Sequence, residues 1–359
     1  MPVLGSLAFP RNAWYPALWS QDLKAGALLP RTLLGDPLVF LRDPQGDAHA
    51  LSDLCPHRFA PLHRGELTAE GSLRCLYHGL EFSPRGECVR NPHGDGALPR
   101  NCKVPAYPLR EAHSLIWVWM GEAEPTDTIP DYGVLDHGAD LVTHRDSLVM
   151  KAGYRLLGDN LMDLSHAAFL HDGILNKREA AWADIKVEQQ GRTLRCSRWM
   201  PNSPIAKLYD LLYRQDGKPV DHWTHMRWDP PGCFLLDVGV HPPGGRREDG
   251  FSIWATHLLT PETERSTHYL FAVTRKPDAS EADVRQQVAD LRRFAFEQQD
   301  QPMIEGQQRY LDLLAARGEV QPALLASIDA GPMRMQRILD EMMAAEQAPR
   351  TPDRSESRA

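Results

Sequence analysis

Apolar positions follow three rhythms along the chain. The front carries short continuous runs, Pro37–Arg42 (PLVFLR) and Ser114–Met120 (SLIWVWM), rich in β-branched and aromatic residues and bounded by Asp, Gly, Pro or Glu. Such runs predict strands. Further on, Tyr154–Phe169 places Leu157, Leu161, Leu164 and Ala168 at helical spacing, a buried stripe. Extended runs return at Arg192–Trp199, Cys233–His241, Phe251–Thr260 and His268–Thr274. Helical segments are then predicted over Glu281–Ala316 and Pro332–Glu346, the second with proline in its first turn after Gly331. The polar, proline-containing stretch Glu122–Asp131 is the best boundary between domains. The expected division is a β domain over residues 1–125, a domain of strands and helices over 126–346, and a polar, disordered tail over 347–359. No internal repeat is visible.

With 359 residues, about two domains are expected, each able to bury its own core since 42% of residues are hydrophobic. Twenty-nine prolines argue against an all-helical bundle. The net charge of −8 argues against a sequence-blind nucleic-acid binder, so no nucleic-acid partner is expected. The first residues show no basic and apolar leader pattern. No charge-free apolar stretch of about 18 residues occurs, so no membrane partner is expected. A cytoplasmic location follows as the expectation, and paired cysteines there are metal ligands sooner than disulfides. Six cysteines and fifteen histidines then direct attention to metal sites.

The strongest pattern is Cys55-Pro56-His57, 17 residues, then Cys75-Leu76-Tyr77-His78. Two cysteines and two histidines can fill a zinc site. A zinc finger usually pairs Cys with Cys and His with His, whereas here each short loop supplies one of each. That suits a two-iron cluster with both thiolates on one iron and both imidazoles on the other, the ligand division of a Rieske [2Fe–2S] centre. Cys55-Pro56-His57-Arg58 and Cys75-Leu76-Tyr77-His78-Gly79 resemble the two cluster loops of that family, with Leu80 where many members have Trp. Gly79 reads as a tight turn beside the cluster. Arg58 and His63 read as surface or supporting residues, and Cys88, Cys102, Cys196 and Cys233 as buried free thiols.

A second pattern, Asn160-x₂-Asp163-x₂-His166-x₄-His171, lies in the helical stripe. Five residues turn a helix by about 500°, leaving the two histidines about 140° apart. One ion is gripped only if the helix ends or distorts between them, and Asp172-Gly173 offers a stop. Two histidines with open positions call for a third, anionic ligand, the two-His-one-carboxylate triad of non-haem Fe(II) oxygenases. Water, O₂ and substrate would take the remaining positions. Asp163, three residues before His166, can fix that imidazole's tautomer.

The two motifs together resemble the Rieske non-haem iron oxygenases. The likeness runs from Asn12-Ala13-Trp14-Tyr15 to the Ala330–Gln347 end, and is greatest to the vanillate O-demethylase type, with toluenesulfonate methyl-monooxygenases nearby. The resemblance implies an α+β chain, an all-β Rieske domain followed by a helix-grip catalytic domain of antiparallel sheet and helices. It implies that the missing carboxylate is Asp300 in Phe296–Glu305, with Glu297 and Glu305 as rivals. It also implies a homotrimer in which Asp163 bridges His166 to the neighbour's His78. Asn160 matches an asparagine near the iron, or is an ordinary helix cap. His257 matches a segment bordering the substrate pocket, or is a core histidine; His222 and His225 read as core or pocket lining.

Monooxygenation at one Fe(II) needs two electrons from outside, and no G-x-G-x-x-G nicotinamide fingerprint follows a strand here. A separate flavin and iron–sulfur reductase fed by NAD(P)H is therefore the expected partner. The leading expectation is O-demethylation or hydroxylation of a small aromatic, chiefly an aromatic acid. The alternatives are methyl or ring hydroxylation of another aromatic or heteroaromatic, a Rieske electron carrier with a binding domain, and a zinc-stabilised binding protein.

Overall fold

The computed structural model describes residues 9–136, 140–277, 281–319 and 327–347. Three small antiparallel sheets occupy the front. One runs in the order Ala13–Trp19, Leu115–Met120, Leu109–Ala112; a second orders Leu28–Leu33, Asp36–Arg42, Ala48–Ser52 and Ala106–Tyr107; a third orders Glu66–Leu67, Leu73–Arg74, Glu81–Phe82 and Cys88–Arg90. Strand Leu115–Met120 is buried at every position. Its alternate residues serve two cores. Ile116, Val118 and Met120 join Tyr15, Leu18 and Phe40, while Leu115, Trp117 and Trp119 pack with Cys233, Leu258 and Leu270 of the second half. A strand apolar on both faces is a strand covered on both faces. Here the cover on one side is the second half of the chain, so the two halves share packing.

The second half is built on a seven-stranded antiparallel sheet in the order Val142–Met150, Ser266–Arg275, Phe251–Thr263, Cys233–His241, Val220–Asp229, Thr193–Ser203, Ile185–Gln190. Among the described residues five α-helices accompany it: α1 (Tyr154–Met162), α2 (Lys207–Leu212), α3 (Glu281–Arg293), α4 (Gln301–Ala316) and α5 (Ala330–Gln347). Leu157 and Leu161 of α1 and Ile338 and Leu339 of α5 enter one core with Leu194, Cys196, Trp228 and Phe234 of the sheet. The antiparallel sheet with helices is the α+β architecture implied by the resemblance.

Two predicted helices are interrupted. The stripe over Tyr154–Phe169 stops being helical at Met162, because Asp163 turns extended (φ −85°, ψ 100°) and its Oδ1 accepts from the Ser165 backbone N–H at 2.7 Å. This is the local competition by which Asp ends helices. His166 then lies on a 3₁₀ turn, His166–Ala168, so the break precedes both histidines instead of falling between them. The segment Glu281–Ala316 contains a π-helical stretch, Phe294–Asp300, between α3 and α4. No helix among the described residues is long and apolar enough to cross a membrane. The expected tail lies outside the described residues beyond Gln347.

Candidate active site

The two cysteine–histidine loops are built alike. The N–H of Cys55 donates to the carbonyl of Ala60 at 2.9 Å, and that of Phe59 returns to the Cys55 carbonyl at 2.8 Å. In the second loop Cys75 N–H donates to Leu80 and Gly79 N–H to Cys75, both at 2.8 Å. Each loop turns through a left-handed residue at the same place, Phe59 (φ 57°) and Gly79 (φ 75°). Both thiols are buried, and the His57 and His78 rings meet edge to face with centroids 4.4 Å apart. Burial pushes the Cys55 thiol up to about 11, while the backbone N–H groups of His57 and Arg58 work the other way. His93 Nε2–H donates to the His78 carbonyl at 2.7 Å.

No three of these four side chains bring their ligand atoms within 4.8 Å of one another. A single tetrahedral ion, with ligand bonds of about 2.0–2.3 Å, would require that. The Cys55 and Cys75 thiols pair with each other and the His57 and His78 rings meet, a division that fits a two-iron cluster instead. Among the other cysteines, Cys196 and Cys233 are buried as expected, whereas Cys88 and Cys102 are half-buried.

Among the described residues, one set of three does meet the 4.8 Å condition: His166, His171 and Asp300. Asp300 Oδ1 lies 3.2 Å from His171 Nε2 and 3.9 Å from His166 Nε2. The remote nitrogens are occupied: His166 Nδ1–H donates to the Asp163 backbone carbonyl at 2.5 Å, and His171 Nδ1–H to Gln299 Oε1 at 2.9 Å. Both imidazoles therefore turn Nε2 to the same point, a ligand orientation fixed by outer partners. The Asp163 carboxylate stands farther off, 3.8 Å from His166 Nδ1, since Ser165 holds its other oxygen. The expected tautomer-fixing bond thus comes from the backbone of Asp163. Asn160 Nδ2 donates to Asp300 Oδ1 at 3.2 Å. The acidic rivals sit elsewhere: Glu297 faces Arg293, and Glu305 accepts from Lys151 and Gln301.

Without a metal, the two histidines shift in opposite directions. Burial lowers His166 against the pull of Asp300 and Asp163. Burial is the largest single influence on His171 and lowers it, but the hydrogen bond and charge of Asp300 together with the Gln299 hydrogen bond outweigh burial and raise it. Two imidazoles and a buried carboxylate around one point fit a divalent iron with further positions free.

Beside this point lies a cavity of about 110 Å³, walled by Leu175, Met226, Leu236, Val238 and Phe296. His257 borders it; its Nδ1 pairs with the Tyr269 hydroxyl at 2.6 Å, and burial lowers its pKa to about 4. His222 is buried on a sheet strand, and His225, three residues on, lies on the opposite face, so they form no joint site. Sequence reasoning missed Gln299 and Tyr269, which carry no motif.

Two family descriptions match the chain: Rieske [2Fe-2S] domain over residues 13–108, and vanillate O-demethylase oxygenase C-terminal domain over residues 150–345. The chain belongs to the Rieske oxygenases of the vanillate O-demethylase type. It is thus an oxidoreductase with a [2Fe–2S] centre and a non-haem iron site. It is 37% identical to the oxygenase component of chloroacetanilide N-alkylformylase from Rhizorhabdus wittichii, over 95% of this chain and 98% of that one. It is 35% identical to the oxygenase component of dicamba O-demethylase from Stenotrophomonas maltophilia, over 95% and 100%. The crystal structure of dicamba monooxygenase bound to 3,6-dichlorosalicylic acid superposes with a TM-score of 0.87 at 35% identity, covering 95% of this chain and 99% of that one.

Proposed function

We propose that the chain is the terminal oxygenase of a multicomponent system that O-demethylates, or hydroxylates at carbon, a small aromatic acid. The observation that carries this is the meeting of His166, His171 and Asp300 at an apolar cavity in a chain that also holds a paired Cys–His cluster site. When bound, the cluster supplies electrons singly and the ferrous iron activates O₂. Demethylation balances as methoxyarene, O₂, NAD(P)H and a proton giving phenol, formaldehyde, water and NAD(P)⁺. The electrons come from a separate reductase, and a cytoplasmic setting, where NAD(P)H is available and thiols stay reduced, is part of this reading.

We assign Cys55, His57, Cys75 and His78 to the cluster, and His166, His171 and Asp300 to the iron. Asn160 orients the Asp300 carboxylate, and His257 offers a neutral ring nitrogen to the substrate. Residues 1–125 act as the relay and 126–346 as the catalytic domain; the small sheets and the seven-stranded sheet fall on either side of that division.

We further propose a homotrimer in which one subunit's cluster reaches the next subunit's iron through Asp163. Two surfaces support this. The cluster loops expose Phe59 (73%) and Tyr77 (61%) beside Arg58. A groove of about 910 Å³ along α1 exposes Tyr310 (70%) and Met303 beside Asp159, Asp163 and His166. Apolar knobs with a cation on one subunit would complement an apolar groove with acids on the next.

Aerobic incubation with a generic reductase, NADH and a panel of methoxybenzoates is expected to release one formaldehyde per NADH consumed productively. No formaldehyde and no hydroxylated product from protein carrying about three irons per chain would overturn the reading.

A further inference from the structure

We propose that Arg198 and Thr224 form the subsite that receives the carboxylate of an aromatic acid substrate. The inference deepens the function proposed above and rests on the same cavity. Arg198 lies on strand Thr193–Ser203 and pairs directly with Thr224 on the next strand, which pairs in turn with Val238. All three border the cavity that also touches His166, His171 and Asp300.

Arg198 is 2% exposed, yet it forms no ion pair within 4.0 Å among the described residues. Its hydrogen bond is a long one, Nη1 to the Ala180 carbonyl at 3.5 Å, and its Nε–H has no partner. The Thr224 hydroxyl beside it is buried and also unpartnered. Asp163 acts on the guanidinium only at longer range, its Oδ1 being held by Ser165. A buried charge without a counter-ion, next to a buried unpaired hydroxyl, is a costly arrangement. An anion entering the cavity would remove both defects at once, because a guanidinium presents parallel N–H donors to a carboxylate.

Other arginines do not compete for this position. Arg275 and Arg292 border the adjoining apolar cavity of about 100 Å³, not the one that touches the iron ligands. Arg292 also has Asp146 acting on it. The cavity shared by Arg198 and the iron ligands is also walled by Leu175, Leu236, Val238 and Phe296, suited to a ring. The specificity follows: an anionic group is held at the sheet, and the ring spans apolar walls towards the iron.

The test uses metal-loaded full-length protein and calorimetric binding of methoxybenzoates against the matching methoxybenzamides, which keep shape and lose charge. Wild type is expected to bind the acid at least about 30-fold more tightly. Arg198→Gln should abolish that preference, Arg198→Lys should retain part of it, and Thr224→Val should reduce it. An unchanged acid/amide ratio in Arg198→Gln with normal iron content would overturn the proposal. So would loss of the ratio in Arg292→Gln but not in Arg198→Gln, or a wild type that binds acid and amide equally or neither. If Arg198→Gln does not fold, the lysine and valine variants decide by the same ratio. Binding is read without turnover, so acid preference without formaldehyde release counts against demethylation and leaves the subsite standing.

Discussion

Replacing Asp300 by asparagine separates the mononuclear centre from everything else in the chain. The side chain is buried, its Oδ1 faces His171 Nε2 at 3.2 Å and His166 Nε2 at 3.9 Å, and it is fixed by Asn160. Asparagine keeps the shape and removes the anion. Loss of an outer partner alone typically costs about 10–100-fold in metal affinity. Loss of the anionic ligand should exceed that, so a drop of at least about 100-fold, or ~3 kcal/mol, is expected. The measurement is iron per chain together with the visible absorbance of the cluster. The wild type should carry about three irons and the variant about two, with the cluster spectrum unchanged. Three retained irons with turnover would refute the assignment, as would a Glu297→Gln variant that empties the site while Asp300→Asn does not.

The same substitution has a stability signature in metal-free protein. His171 is raised in the folded chain: burial, the largest single influence, opposes, and the Asp300 hydrogen bond and charge together with the Gln299 hydrogen bond prevail. A histidine raised on folding contributes stability that is full below its unfolded value, near 6.5, and lost as pH rises through the folded value. Asp300→Asn should therefore lower Tm most at pH 6 and below, with the gap closing in alkaline buffer. A gap that widens with pH would refute the pairing.

Three further outcomes follow from other parts of the molecule. Asp163→Ala should leave both metal sites loaded yet slow single-turnover electron transfer at least about tenfold; stopped-flow oxidation of the reduced cluster at the wild-type rate would remove the bridge. Gly79→Ala adds a Cβ 2.9 Å from Pro92 Cγ at a backbone φ of 75°, so a loss of about 1–3 kcal/mol is expected by thermal melting, and an unchanged Tm would contradict it. Asp159 is raised to about 6 by burial, with the Gln336 hydrogen bond and Arg155 opposing. An acid raised on folding binds more protons folded than unfolded between about pH 4 and 6, so stability falls as pH rises through that window. Asp159→Asn keeps an acceptor for Gln336 Nε2 and should stabilise by about 1 kcal/mol above pH 7 but not at pH 4, read from melts at both.

The parts of the site that were legible in the sequence are those that close over a few residues. Each cluster loop is tied by hydrogen bonds spanning four and five residues, so Cys55–His57 and Cys75–His78 carry their geometry with them. His166 and His171 are similar, although the helix was expected to continue to His166 and the Asp163 turn ends it earlier. Asp300 needed the resemblance, because spacing did not separate it from Glu297 or Glu305. The structure separates them through the π-helical stretch Phe294–Asp300. On a regular helix, consecutive residues point about 100° apart. Here Gln299 and Asp300 both reach His171, one at Nδ1 and the other at Nε2. Such stretches recur at functional sites and have no sequence signature as plain as a motif.

Arg198 shows where more could have been read. Along its strand Leu194, Cys196 and Met200 are buried, while Arg195 and Trp199 are exposed, a two-residue alternation. Arg198 falls in the phase of the buried apolar residues, so the strand's own rhythm already turns a cation inward. Register supplies what rhythm lacks, since only pairing with Val220–Asp229 sets Arg198 beside Thr224. An inward charge with no counter-ion among the described residues is then a reason to look for the counter-ion in the substrate.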